Sequence, residues 1–232
     1  MVSAGSVGVV DVRTRILEAA AELLAHSGEF STRAVCEAAG VGAPALYRQF
    51  GDKDGLLAAV VDHAFEAYLA GKRAAKASDD PVRDLRDGWD NHVAFALAHP
   101  NHYRVLYAGL STPPGAAAEA HGLLLAILER CAAAGRLKVP PPLAAQMVMA
   151  ANAGVALSMI TRPELYPDPE FSVRVRESVL SGILAETSPE PGGVAVTATT
   201  LAARLTGDTP LSAAELTMLR EWLGRLSVHN GR

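Results

Sequence analysis

Apolar residues recur along this chain at intervals of three and four, the period of an α-helix, and almost nowhere in alternation. Ile16, Ala20, Leu23 and Leu24 draw such a stripe through residues 12–27. Residues 31–39 turn Val35 and Ala39 to one side, flanked by Cys36 and Ala38, and residues 43–50 do the same with Leu46 and Phe50. A long helix is predicted over 52–77 with Leu57, Val61, Ala64 and Tyr68 inward. Leu85, Trp89, Val93 and Leu97 predict a helix over 81–99, and a short one follows Pro100 through Tyr103, Leu106, Tyr107 and Leu110. Further helices are predicted over 116–134, 142–161 and 170–186. The single alternating stretch, Val194-Ala195-Val196, is too short to matter. The fold class is all-α, without an internal repeat.

The breaks agree with this reading. Asp80 is placed to cap the helix that Pro81 opens, because a proline in the first turn forfeits no hydrogen bond. Thr112-Pro113-Pro114-Gly115 interrupts the chain, Gly135 ends a helix, Pro140-Pro141-Pro142 starts one, and 163–169 is a linker. Residues 187–200 (TSPEPGGVAVTATT) read as a loop. Ser212 and Glu215 then form a capping box ahead of an amphipathic helix carrying Leu216, Leu219, Trp222, Leu223 and Leu226. A lone helix of that length is marginal in water, so its apolar face must pack, either over the preceding helices or on a second copy.

The stretch with the most chemistry in it is residues 31–53, STRAVCEAAGVGAPALYRQFGDK. Two short helices meet at Gly40-Val41-Gly42, and two helices joined by a short glycine-bearing turn make a helix-turn-helix, whose second helix fits a DNA major groove. Ser31 or Thr32 can cap the first helix. Pro44 falls in the first turn of the second, where its fixed φ helps initiation. Asp52 can cap the next helix and put Lys53 in its first turn, where free N–H groups and the helix dipole favour a phosphate.

Several pieces of this region occur together at fixed spacing: Ile16-Leu17-x-Ala19-Ala20, Gly28, Thr32-Arg33, Ala39-Gly40-Val41, Leu46-Tyr47-x-x-Phe50 and Lys53-x-x-Leu56-Leu57. On these, Arg15 through Leu57 resembles the DNA-binding domain of the tetracycline-repressor (TetR) family of transcriptional regulators. The resemblance implies an N-terminal three-helix helix-turn-helix domain and a C-terminal helical domain for ligand binding and dimerisation. The boundaries it suggests are a disordered arm at 1–11, a DNA-binding domain at 12–55, an effector and dimer domain at 56–186, and a linker with an extra helix at 187–232.

Carried onto this chain, the resemblance implies DNA contacts from Thr32, Arg33, Ala43, Pro44, Ala45, Tyr47, Arg48, Gln49 and Lys53. Thr32, Tyr47 and Lys53 would hold phosphates, which position a protein without reading sequence. Arg33 and Gln49 suit guanine and adenine edges, and Ala43, Pro44 and Ala45 suit thymine methyls. Gly42 stands where serine is common, and Ala43 replaces a polar residue, so specificity leans on few side chains and on DNA shape. The partners implied are a palindromic double-stranded operator, a second copy in a homodimer, and a small lipophilic effector that releases a repressor from its site. In the family the last two core helices, here 142–161 and 170–186, pair across the two-fold axis.

Composition changes the picture in one respect. The 232-residue chain carries a formal net charge of -4, so it is no general polyanion binder. Even residues 1–53 hold five Lys/Arg (Arg13, Arg15, Arg33, Arg48, Lys53) against six Asp/Glu. DNA binding therefore depends on placement, with Arg33, Arg48 and Lys53 toward the duplex and Glu18, Glu22 and Glu29 away. The hydrophobic content of 50% with 20% charge suits a well-buried fold. Cys36 and Cys131 sit in separate helical segments with apolar neighbours and read as free buried thiols of a reducing cytoplasm. Residues 1–10 lack the basic start of a signal peptide. No run approaches the ~20 uninterrupted apolar residues of a membrane span.

In the second domain Trp89, Phe95, Tyr103, Tyr107, Met147 and Met149 are candidate cavity residues, with Asn152 or His92 as polar anchor, although rings and methionines at helical spacing are also ordinary core. His92, His99, His102 and His121 cluster in sequence, yet lack the carboxylate or cysteine company of a zinc site. Nucleophile motifs, phosphate loops and paired acids are missing, so neither enzymatic activity nor a cofactor or metal is expected. A binding or scaffold protein with a vestigial helix-turn-helix is the remaining alternative.

Overall fold

The computed structural model describes residues 11–107, 111, 114–185, 193–205 and 209–228. The arm expected at 1–11 falls outside them, apart from Asp11. Among the described residues there are eleven α-helices and no strand: α1 (Val12–Ser27), α2 (Thr32–Ala39), α3 (Ala43–Phe50), α4 (Lys53–Ala74), α5 (Pro81–Ala98), α6 (Pro100–Leu106), α7 (Gly115–Ala133), α8 (Pro141–Thr161), α9 (Phe171–Ile183), α10 (Val194–Arg204) and α11 (Ala213–Ser227). Two compact units form. The first takes the chain through Gly71 together with His99–Ala118, and the second takes Lys72–Ala98 and the chain from Glu119 onward.

The first unit has its own core, built on Ile16, Ala20, Leu24, Val35, Leu46 and Leu56. Ser31 caps α2, its hydroxyl accepting from the Ala34 N–H at 3.1 Å. Gly40 ends α2 in the left-handed region (φ +64), with Val41 N–H on the Cys36 carbonyl and Gly40 N–H on Glu37. On α4 the inner face is Leu56, Val60, Val61, Phe65 and Leu69. Leu57, Ala64 and Tyr68, expected inward, are half-buried on its flank. Asn101 ties α6 to the end of α1 by donating to the Ala25 carbonyl at 3.0 Å. Tyr103 is completely buried here, 5.2 Å from the ring of Tyr107.

In the second unit α5, α8 and α9 pack around Leu85, Trp89, Leu128, Val148, Leu180 and Ile183. Polar contacts tie α5 to α9: the Trp89 indole N–H donates to Ser172 Oγ at 3.0 Å, and Arg86 forks onto Glu177 at 3.0 and 2.9 Å. The buried Arg176 reaches Asp90. Asp80 caps α5 as expected, accepting from Val82 and Arg83. Leu97, expected inward, is 46% exposed, because its turn of α5 buries Phe95 and Ala96 instead.

Two expectations need correction. Residues 194–200, read as loop, belong to helix α10. The β-branched Val194, Val196, Thr197, Thr199 and Thr200 argue against helix locally, but packing against α11 overrides that weak preference, with Ala198 and Thr199 buried. Residues 187–192 of the expected linker lie outside the described residues. The second correction concerns α8. It is 21 residues long without a charge, apolar enough by length and composition to cross a membrane (mean hydropathy 1.6), and Gln146 and Asn152 interrupt it. Within this fold it packs on α5 and α9, with 44% of its most apolar window buried.

Candidate nucleic-acid interface

Helix α3 is seated by one fully buried side chain, Leu46, and by the half-buried Phe50, over whose ring the Arg13 guanidinium lies at 5.0 Å. Everything else on this helix faces outward to some degree. Ala43, Pro44, Tyr47 and Arg48 are exposed, Tyr47 by 47%, while Ala45 and Gln49 are half-buried. No side chain caps α3, since Gly42 occupies that position, and Pro44 sits in its first turn. Gly51 closes it at φ +78 with its N–H on the Tyr47 carbonyl at 2.8 Å.

Thr32 and Arg33 occupy the first turn of α2, and a shallow groove lined by Thr32, Arg33, Gly40, Val41 and Ala43 joins that turn to the start of α3. Arg33 is exposed. Its Nε donates to Glu37 at 2.9 Å, an i,i+4 pair with side chains 89% and 66% exposed. Such a pair contributes only about 0.3–0.5 kcal/mol, so Arg33 is readily surrendered to a stronger acceptor. Lys53 opens α4, its Nζ 5.9 Å from the Phe30 ring centre. Asp52 caps the same helix, taking the Gly55 N–H at 2.7 Å. One of the N–H groups that sequence reasoning left free for a phosphate is therefore already engaged.

The family model "Bacterial regulatory proteins, tetR family" matches residues 16–60, a span that contains this whole constellation. Residues 16–60 thus match the N-terminal domain of the tetR family. Solved structures of tetR-family regulators share the fold across both units. A Streptomyces coelicolor A3(2) regulator is 20% identical, covering 94% of this chain and 90% of its own, with a TM-score of 0.54. FadR from Bacillus subtilis, solved with stearoyl-CoA, is 18% identical over 73% of this chain and 98% of its own, at 0.59. NalD from Pseudomonas aeruginosa, the secondary repressor of the MexAB-OprM multidrug efflux pump, is 23% identical over 76% and 98%, at 0.51. Among curated proteins no relative matches in sequence.

The protein also carries a cleft of about 460 Å³ in its second unit. Trp89, His92, Met149 and Asn152 line it, as the sequence suggested. Phe95, Tyr103, Tyr107 and Met147 do not. Phe95 is six positions beyond Trp89 and so lies on another face of α5, Tyr103 and Tyr107 belong to the first unit, and Met147 is 39% exposed, a third of a turn from the lining Val148. Sequence reasoning missed Leu123, Leu124 and Ile127 of α7 and the cations Lys72, Arg73, Lys76 and Arg130. Lys72 and Arg73 lie in the last turn of α4, and Lys76 lies just beyond its end.

Charges in the cleft are partly answered. Arg130 meets Asp84 at 2.6 Å, and Arg73 meets Glu119. Burial holds the Lys72 ammonium down to about 8, still charged at neutral pH. Burial, aided by Lys72, pushes the His92 imidazole down to about 4. The native protein thus binds fewer protons at His92 than the unfolded chain between pH 4 and the ordinary 6.5. This stability is full above pH 6.5 and is lost as pH falls toward 4. Urea unfolding should show a loss of about 2 kcal/mol between pH 7 and pH 5. His92→Gln should remove most of that slope, and an unchanged slope would reject the assignment to His92.

Proposed function

We propose that this protein is a sequence-specific transcription regulator that binds a palindromic operator as a homodimer and represses until a small lipophilic effector enters the second unit. The observation that carries the DNA-binding part is α3. A single buried leucine seats an eight-residue helix whose remaining side chains are at least partly open to a duplex, inside a tetR-family domain.

Dimerisation is supported by α8. Its outer face carries the apolar or small Leu143, Met147, Ala150 and Gly154, all exposed, Leu143 and Met147 by 40% and 39%. A helix apolar on all sides calls for cover on all sides. A two-fold pair through α8 and α9 would set the recognition helices about 34–36 Å apart, or a multiple, and would read a palindrome. Effector release is supported by the cleft and by analogy with FadR and its stearoyl-CoA. Repression is supported by analogy with NalD. Release requires that the effector bind the two conformations of the dimer unequally, since equal affinity shifts nothing.

Selection of bound fragments from genomic DNA, followed by fluorescence anisotropy on the selected sites, tests the reading. Recovery of no preferred sequence would end it. On a selected operator, Arg33→Ala should cost about 1–3 kcal/mol and relax preference at one base position. Lys53→Ala should weaken all sequences alike and flatten the salt dependence by about one phosphate contact per monomer. The opposite pattern would exchange their roles.

A further inference from the structure

Of the polar atoms lining the second-unit cleft, the Asn152 side-chain oxygen stands out. Asn152 sits in the middle of α8, 5% exposed, with its amide against α5. Its Nδ2 donates to the Trp89 carbonyl at 3.3 Å, which decides the orientation of the group, since the flipped amide would set two acceptors against each other. The Oδ1 is then left fully buried with no hydrogen-bond partner among the described residues. Trp89, Val148 and Met149 line the cleft with it. A buried acceptor without a donor is a standing cost, and native proteins keep few of them. Here the residue that carries the unanswered acceptor lines a cleft of about 460 Å³, large enough for a small organic molecule.

The lining adds a second requirement. Four cationic side chains, Lys72, Arg73, Lys76 and Arg130, border the cleft against two carboxylates, Asp84 and Asp87. The rest of the wall is mostly apolar, with Trp89 and the aliphatic Leu123, Leu124 and Ile127 on it beside the polar Asn91, His92 and Asn152. We propose that the cleft takes an amphipathic organic anion whose apolar body lies against Trp89 and Ile127 and which carries a hydroxyl or N–H donor for Asn152 Oδ1. This rests on the cleft being the effector site of the regulator described above. It adds the chemical class of the effector and the residue that selects it.

The test uses the full chain, free of DNA, in calorimetric titration with three probes that share one ring system: 6-hydroxy-2-naphthoate, 6-methoxy-2-naphthoate and the methyl ester of the hydroxy acid. The hydroxy acid should bind about tenfold tighter than its methoxy twin, the worth of one hydrogen bond to a buried acceptor, and severalfold tighter than the uncharged ester. Asn152→Leu should abolish the hydroxy-over-methoxy preference and leave the preference for the acid over the ester. Equal binding of the hydroxy and methoxy acids to the wild-type protein overturns the proposal without recourse to any variant. So does a preference that survives Asn152→Leu, an ester that binds as well as the acid, or failure of all three probes to bind at millimolar concentration. Anisotropy on the same preparation separates the two levels: operator binding with no probe selectivity rejects the ligand class alone, whereas loss of operator binding rejects the regulator itself.

Discussion

Trp89→Ala should destabilise the second unit by about 3–5 kcal/mol, the range for removing a large aromatic from a core that cannot collapse around the hole. The indole is 2% exposed and packs among the residues that join α5, α8 and α9. It also ties α5 to α9 through Ser172. Trp89→Phe separates the two contributions, since it keeps most of the ring contact and leaves the Ser172 hydroxyl without its donor. That variant should lose about 1–2 kcal/mol from the hydrogen bond, together with a smaller packing loss. Unfolding is best followed by circular dichroism, because the only other tryptophan, Trp222, is 54% exposed and reports poorly on this core. A loss under 1 kcal/mol for the alanine variant would mean that Trp89 is not a keystone of the packing.

Leu46→Ala should cost the first unit about 2–5 kcal/mol and should take DNA affinity with it. Leu46 is the one buried residue of α3, so its removal loosens the recognition helix as a body and spares every atom predicted to touch DNA. Leu46→Met, close in volume, should stay within about 1.5 kcal/mol and retain binding. The informative comparison is temperature. The alanine variant should bind weakly where the unit is partly unfolded and recover on moderate cooling, whereas Arg33→Ala should be impaired at every temperature. Wild-type affinity and wild-type stability in Leu46→Ala would place the seat of α3 elsewhere.

Much of the architecture was legible because local signals and tertiary packing agree. The 12–27 and 43–50 helices end where their apolar stripes and glycines say they should, and the Ser212–Glu215 capping box and Asp80 act as read. Legibility fails where packing decides against local preference. Helix α10 forms from β-branched residues because α11 covers Ala198 and Thr199, a contact that no window of sequence contains. On α4 Val61 is buried as predicted, but Leu56, Val60, Phe65 and Leu69 fill the rest of the inner face in place of Leu57, Ala64 and Tyr68, because a helix apolar on two sides offers two plausible faces.

The same limit governs the two sites unequally. The nucleic-acid residues lie within one short stretch, so their grouping was visible as a motif. The cleft draws on α4, α5, α7 and α8, and nothing in the periodicity of any one of them says which faces meet. Aromatic content was a poor guide to it: Tyr103 is wholly buried core, while the cations at the tail of α4 line the cleft.

Helix α3 is bracketed by Gly40 and Gly51, both at positive φ and neither with a neighbour that a Cβ would strike, so backbone conformation alone reserves those two positions. With Leu46 as its only deep root, the eight-residue helix α3 within that bracket behaves as an interchangeable cartridge. New target preferences can be written by exchanging 43–45 and 47–49 while the two glycines and the leucine stay in place, and the rest of the protein need not be redesigned to receive them.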